Sequence, residues 1–251
     1  VLGTVMALIV LGGIGFFVWD DIAKNQWHFR NYTLQTKVVL TTTALLLILP
    51  FLWFWLCEFV HWNGMSTGKQ ALSALFQTVS PRTAGFNNVD LNQLSGGSKL
   101  LTILLMLVGG SPSSTAGGIK TTTLAILLLA LRAAFTSDHQ VHCFGRRIPA
   151  QVITRTLVVS VLYGTLFLVA SMALIQLEPV TMEEALFECA SAIGTVGLTL
   201  GITPELGAVS KGILILLMYL GRVGGLTLVY AVSGTGKRLH YTLPEESIGI
   251  G

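Results

Sequence analysis

The sequence predicts an all-α membrane protein built from a repeated unit of outer helix, short helix, glycine turn and inner helix. Three observations carry that prediction. Only 11% of the 251 residues are charged, against roughly a quarter in soluble domains. The hydrophobic fraction is 52% and the mean hydropathy +0.72, too apolar for a surface that must face water. The third observation is a set of motifs that recurs at one fixed offset along the chain. The composition excludes a soluble catalytic domain, a nucleic-acid binder and a disordered linker together. Twenty-seven glycines against seven prolines add that some segments need unusual backbone or close helix contact.

The elements follow in order. Val1 to Trp19 is nineteen residues without a charge, close to the ~20 that cross a bilayer core, and Asp20, Asp21 and Lys24 end it. A second span runs from about Val38 to Cys57, with Trp53, Trp55 and Trp62 as an interfacial belt near its far end. Ala71 to Val79 is a nine-residue apolar piece, too short to cross, followed by Thr83-Ala84-Gly85-Phe86. A short helix that enters and turns back is a re-entrant element, whose non-helical continuation must be buried in protein or line a wet cavity. From Ser98 to Phe135 the apolar residues stop at Val108 and resume at Ile119, around ten residues with four glycines, a proline and four hydroxyls. An ordinary surface loop is the alternative there, but Leu100 to Val108 cannot span alone, so the break is placed inside the membrane. Thr156 to Leu177 reads as a span, Ala185 to Ile193 as a second nine-residue short helix ahead of Thr195-Val196-Gly197-Leu198, and Gly212 to Ser233 as a last span containing Arg222.

Charge placement sets the orientation. Lys24, Arg30 and Lys37 fall in one link, Arg132, Arg146, Arg147 and Arg155 in another, and Lys237 and Arg238 near the C-terminus. Glu58, Asp90, Glu178, Glu183, Glu184 and Glu205 fall in the opposite loops. The basic side is therefore cytoplasmic and the short helices enter from outside. Cys57, Cys143 and Cys189 lie far apart without CxxC or paired histidine spacing, which gives neither a metal cluster nor a disulfide framework. The chain starts with Val1 inside an apolar run and lacks the pattern of a signal peptide, so it is expected to be part of something longer.

An offset of 112 carries Thr83-Ala84-Gly85-Phe86 onto Thr195-Val196-Gly197-Leu198, Ser98-Lys99 onto Ser210-Lys211, Ile103 to Met106 onto Ile215 to Met218, and Gly109 onto Gly221. One offset held from Thr83 to Gly109 marks an internal repeat. Leu11-Gly12-Gly13 resembles Val108-Gly109-Gly110 and Leu220-Gly221-Arg222, giving two whole units and the tail of a third. Such a unit can present backbone carbonyls to an ion near the outer face, where they replace its hydration shell and a ring of loops closes the site. Gly85 and Gly197 supply the backbone freedom that lets successive carbonyls point one way. The short helices aim their C-terminal dipole ends at the cavity, which favours a cation.

Ser80 to Asn87, Gly109 to Thr121, Gly194 to Thr199 and Gly221 to Thr227 together resemble the Trk/Ktr/HKT superfamily of potassium transporters, the Ktr-type membrane subunits above all, and the likeness covers essentially the whole chain. The resemblance implies four such units around a central pore. Residues 1–27 would then be the inner helix of the second unit with a cytoplasmic link, 28–139 the third unit, and 140–251 the fourth unit and tail. It implies a selectivity filter at Thr83, Ala84, Gly85, Phe86, Thr195, Val196, Gly197 and Leu198, with potassium at the carbonyls of Thr83 to Gly85 and Thr195 to Gly197. One glycine per turn, in place of a full T-V-G-Y-G, implies fewer tight sites than in potassium channels. Gly109, Gly110, Ser111, Ser113, Ser114, Thr115, Gly117 and Gly118 match the intramembrane loop that gates the family, and Arg222 the arginine facing it. A mid-membrane charge costs at least ~2.5 kcal/mol, so Arg222 should face the interior or a wet cavity. Lys120 either belongs to that gate or snorkels toward the cytoplasm. Only two of four filter loops are present, so the chain alone is not expected to conduct. The implied partners are the other pore units of the same chain, a second copy in a homodimer, the cytosolic RCK/KTN ring that alone carries nucleotide, and the lipid bilayer of the cytoplasmic membrane. No covalent cofactor is implied; potassium is the substrate, with sodium left open.

Enzyme readings are weaker. The Ser111 to Ser114 cluster has no base, because His28, His61, His139, His142 and His240 all lie in links or tails. Ser233 to Lys237 imitates a phosphate loop, but Ala231 stands at the first glycine position and Arg238 at the Ser/Thr position. Glu188 reads as either a coupling carboxylate or a hydrogen-bonded helix residue. The rival function class is a membrane receptor or scaffold whose glycines serve packing alone.

Overall fold

A computed structural model describes residues 1–26, 28–59, 62, 66–136, 140–225 and 227. Its helices are α1 (Leu2–Ile14), α2 (Phe16–Asn25), α3 (Leu34–Trp53), α4 (Thr67–Val79), α5 (Gly96–Leu107), α6 (Thr121–Phe135), α7 (Ala150–Leu177), α8 (Met182–Ile193) and α9 (Ala208–Val223). An antiparallel hairpin, β1 (His142–Cys143) with β2 (Arg146–Arg147), joins α6 to α7. Lys237, Arg238, the Ser233 to Lys237 imitation of a phosphate loop, His61 and His139 lie outside the described residues.

Among the described residues two helices are long and apolar enough to cross a membrane unbroken, α3 with its continuation to Glu58, and α7. Both leave Leu, Ile, Val and Met side chains exposed, among them Leu45, Ile48 and Leu49 on α3 and Val161, Val169 and Met172 on α7. Lipid is the solvent that tolerates this surface. Within lipid the helices gain little from apolar burial itself, so close packing and hydrogen bonds must hold them together. Pro50 inside α3 withholds one backbone donor from the ladder, and the helix widens to a π turn from Phe54 to Glu58 as it ends.

The short helix α8 is the centre of the packing. Phe187, Glu188, Cys189, Ala190, Ser191, Ala192 and Ile193 are all buried, and α5, α7 and α9 pack around it. A capping box starts it: Thr181 accepts the Glu184 amide at 3.3 Å while Glu184 accepts the Thr181 amide at 2.8 Å. α4 is its counterpart, between α3, α1 and α5. The two short helices run to 13 and 12 residues, longer than the nine expected from sequence but still too short to span.

The repeat extends into side-chain contacts at the starts of α5 and α9. Glu58, at the end of the α3 span, accepts the Ser95 amide at 3.1 Å and the Ser95 and Ser98 hydroxyls at 2.6 Å each, which fixes the N-terminus of α5. Glu178, at the end of α7, accepts the Gly207 amide at 2.8 Å and the Ser210 hydroxyl at 2.6 Å, which fixes α9. Ser95 and Gly207, like Ser98 and Ser210, stand 112 apart. At this acidic end Lys99 pairs with Glu183 at 2.7 Å, joining the two units.

Two spans expected to be continuous are broken. Val1 to Trp19 is not one crossing: α1 ends at Gly15, whose φ is +95°, and α2 leaves at 89°. The break is satisfied from outside, since the Phe16 amide donates to the Ser113 carbonyl at 3.1 Å. Gly212 to Ser233 is likewise not one crossing, because α9 ends at Gly224, φ +88°, and residues 228–233 lie outside the description. Gly15 and Gly224 are separated by 209 residues, as are Gly12 and Gly221, so both inner helices break three residues past the same motif. Hydropathy cannot see such a break, because glycine at positive φ is as apolar as glycine in a helix.

Candidate functional site: two glycine turns above a three-way loop

Each short helix ends in a turn with the same backbone. Thr83 and Gly85 have φ of +67° and +74°; Thr195 and Gly197 have +54° and +95°. Ala84 and Val196 between them do not have positive φ, so the handedness alternates residue by residue. Alternation of this kind brings successive carbonyls onto one side of the chain. A β-branched residue at positive φ is an outlier costing about 1–3 kcal/mol, and such strain persists only where the surroundings enforce it. Two threonines pay it at equivalent positions, a feature that the sequence reading of the turns assigned to the glycines alone.

The turns face each other closely. A Cβ on Gly85 would stand 2.2 Å from the Val196 carbonyl oxygen, so the two chains meet where only a glycine fits. Gly197 differs, for a Cβ there would meet nothing within 4 Å. Its φ, and not its packing, is what requires glycine.

The short helices pin the start of each turn. Ala84 and Gly85 amides reach the Ser80 carbonyl at 3.1 and 3.3 Å; the Val196 amide reaches the Ser191 carbonyl at 2.8 Å and the Gly197 amide the Ser191 hydroxyl at 3.1 Å. No backbone amide of the described residues donates to the carbonyls of Thr83, Ala84, Gly85, Thr195, Val196 or Gly197. The Phe86 carbonyl is different, since it accepts the Ser80 hydroxyl. Phe86 was expected among the filter carbonyls, and here its oxygen is engaged by the short helix. Its partner in the repeat, Leu198, is buried, whereas the Phe86 side chain is exposed. Of these six residues Val196 is buried, Gly197 is exposed and the other four are half-buried.

The loop 109–118 lies against both turns. A Cβ on Gly117 would be 2.2 Å from Thr195 Oγ1, and one on Gly109 would be 3.4 Å from Thr83 Cγ2. Val108 and Ile119 form a parallel bridge at the loop's neck, and the Thr121 amide closes on the Gly110 carbonyl at 3.1 Å. The buried Ser111 hydroxyl meets Thr121 Oγ1 at 2.9 Å, and Ser114 Oγ donates to the Ser111 carbonyl at 2.6 Å. The loop is tied to all three inner helices: the Ser111 amide to the Gly13 carbonyl at 2.9 Å, the Gly118 amide to the Gly221 carbonyl at 3.3 Å, and its own neck to α5. Ser113 and Thr115 at its tip are exposed.

Both basic residues reach the loop. Arg222 Nη1 donates to the Thr115 carbonyl, and Lys120 Nζ donates to the Ala116 carbonyl at 2.5 Å. A cavity of about 400 Å³ opens beside the loop, lined by Ser113, Gly118, Lys120, Thr122, Arg155 and Gly224. Among the described residues no group of three or more His, Cys, Asp or Glu side chains is placed to hold a metal ion.

The sequence shows Gly13, Thr121, Glu58 and Glu178 in motifs and outer loops, but not the contacts that they make. The serines aligned at offset 112 were the available signal for the two glutamates, since a repeated hydroxyl at a helix start needs a repeated acceptor.

The chain is similar to several known proteins. A chain named potassium/sodium uptake protein NtpJ, from Enterococcus hirae, is 41% identical over 98% of this chain and 56% of its own length. Ktr system potassium uptake protein B from Vibrio alginolyticus is 37% identical over 99% of this chain and 55% of its own. The crystal structure of the potassium transporter TrkH from Vibrio parahaemolyticus superposes with a TM-score of 0.76 at 21% identity, over 93% of this chain and 52% of that one, a likeness of fold. The chain thus spans about half the length of the relatives it matches. A family model described as TrkH, cation transport protein, matches residues 1–236, and the chain belongs to that family of integral cytoplasmic-membrane proteins.

Proposed function

We propose that this chain forms half of the ion path of a Ktr/Trk-type potassium uptake system, with Thr83 to Gly85 and Thr195 to Gly197 supplying filter carbonyls and the loop 109–118 acting as the gate beneath them. The observation that carries the reading is the pair of turns with alternating φ, equivalent in sequence and juxtaposed in space, whose six carbonyls take no backbone amide of the described residues. Two further turns, from preceding units of the same protein, would complete the ring. Residues 28–139 and 140–251 then act as the third and fourth units, and 1–27 as the end of the second.

In this mechanism an ion sheds water as carbonyls replace its hydration shell, and the strained threonines keep those carbonyls aimed before it arrives. The loop blocks the path by lying against Thr83 and Thr195. Arg222 holds it there through the Thr115 carbonyl and places a positive charge in the cation's way. Opening requires that contact to be exchanged. Potassium is the substrate, and sodium remains a competing one, as the name of the Enterococcus relative includes both ions. The relatives named for a Ktr system point to partner components; a second copy and a cytosolic nucleotide-binding RCK/KTN ring are the proposed ones, facing the basic end at Lys24, Arg132, Arg146, Arg147 and Arg155.

A scaffold that uses glycine only for packing is disfavoured by Gly197, which has positive φ and no packing neighbour. Rubidium uptake into cells lacking their own potassium systems tests the proposal, with the complete transporter and Gly197→Ser. Loss of uptake is expected; intact uptake overturns the filter assignment.

A further inference from the structure

We propose that Glu188 is a positioning residue that holds the outer end of the Thr195 to Leu198 turn and sets its preference for potassium over sodium. This rests on the reading of that turn as a filter. Glu188 lies on α8 with 4% exposure, and no ion pair reaches it among the described residues. Its Oε1 accepts the Thr199 hydroxyl and its Oε2 the Thr203 hydroxyl at 2.9 Å. Thr199 Oγ1 in turn accepts the Gly201 amide at 2.9 Å and lies 3.0 Å from Thr203 Oγ1. One carboxylate thereby fixes residues 199–203, which continue directly from Leu198.

The same helix face fixes the other end of the turn. Ser191 binds the Val196 and Gly197 amides, and Ser191 and Glu188 are three apart, hence on one side of α8. The turn is strung between a hydroxyl and a carboxylate of a single rigid element. The first turn has no such carboxylate: offset by 112, Glu188 and Ser191 become Phe76 and Val79, and neutral groups reach forward instead, the Ser80 hydroxyl to the Phe86 carbonyl and Ser73 Oγ, which accepts from Asn88 Nδ2 at 3.2 Å. The two sides of the filter are fastened differently, with the negative group behind one of them. A buried carboxylate without a basic neighbour is costly, and a cation held at the adjoining carbonyls is the counter-charge that offsets it. Loosening the outer end lets the turn contract around a smaller ion, so discrimination falls before capacity does.

The complete transporter, expressed in cells lacking their own potassium uptake, provides the test. Rubidium uptake gives KM and maximal rate, sodium competition gives the selectivity ratio, and an epitope tag gives membrane abundance. Glu188→Gln keeps a hydrogen-bonding side chain of the same size and removes the charge. It is expected to raise KM and lower the potassium-over-sodium ratio by about tenfold each, with maximal rate within about twofold of wild type. Thr203→Val and Thr199→Val keep the carboxylate and each remove one donor, and are expected to lower the ratio by about three- to fivefold. Wild-type KM and ratio in Glu188→Gln overturn the proposal. Where Glu188→Gln does not reach the membrane, an unchanged ratio in both threonine variants overturns it. Gly197→Ser in the same cells separates the two readings: if it abolishes uptake while the Glu188 and threonine variants behave as wild type, the filter stands and the clamp falls. If it leaves uptake intact, the filter reading itself has failed.

Discussion

Gly197→Ala is the substitution whose consequence the geometry bounds most closely. The new methyl would meet no heavy atom within 4 Å, so the steric cost is nil. What remains is the backbone, held at φ +95°, which an alanine tolerates only at about 1–3 kcal/mol. Against a total stability of roughly 5–15 kcal/mol the protein still folds and inserts. The turn can relieve the cost by rotating back to negative φ, which swings a carbonyl out of the row. Since about 1.4 kcal/mol is tenfold in an equilibrium, the competent turn becomes a minor species and rubidium uptake falls by about tenfold or more at wild-type abundance. Gly85→Ala is the internal comparison. It carries the same backbone cost at φ +74° and also drives its methyl to 2.2 Å from the Val196 oxygen, displacing the neighbouring turn. It should lose membrane abundance as well as uptake. Uptake and sodium competition, normalised to tagged protein in the membrane, distinguish the two. Wild-type uptake in Gly197→Ala, or a Gly85→Ala no worse than Gly197→Ala, would refute the reasoning.

Other expectations follow from the loop and the clamps. Gly117→Ala places a methyl 2.2 Å from Thr195 Oγ1, an overpacking of about 1–3 kcal/mol that pushes the loop off the turn; raised potassium leak is expected, and unchanged leak contradicts the contact. Arg222→Ala removes a charged donor from the Thr115 carbonyl, an interaction of about 1.5–3 kcal/mol, so the open fraction and flux should rise by about tenfold, and flux equal to wild type sinks the latch. Glu178 is held below the ordinary carboxylate value of 4.5 by the Ser210 hydroxyl and the Gly207 amide. Its contribution is therefore complete above that pH and lost as pH falls below it. In Ser210→Ala the fall in Tm of the purified transporter below about pH 4.5 should be smaller, because less of the depression remains to be lost, and an identical pH profile would remove Glu178 from the account.

Much of the architecture was legible because the membrane constrains it. Nine apolar residues cannot cross, so the α4 and α8 segments had to turn back, and a glycine after each had to be buried in protein or line a cavity. The break between Val108 and Ile119 was readable for the same reason. The breaks at Gly15 and Gly224 were not, since a long apolar run satisfies any length criterion whatever its backbone does. The first of them is satisfied only by the Ser113 carbonyl, which accepts the Phe16 amide, and that is tertiary information. The strain at Thr83 and Thr195 was hidden too, since threonine there carries no propensity for positive φ. Glu188 shows the limit most plainly: its residue type suggested chemistry, but its partners, Thr199 and Thr203, are reached only once the chain has turned round the end of α8.

The central claim is that the carbonyls of Thr83 to Gly85 and Thr195 to Gly197 ligate the transported ion. Anomalous diffraction from crystals of the complete transporter grown in rubidium measures that directly. The account predicts peaks between the two turns that weaken when sodium replaces rubidium, and that are lost in Gly197→Ala. Rubidium peaks elsewhere in a transport-competent protein, with none between these turns, would contradict it.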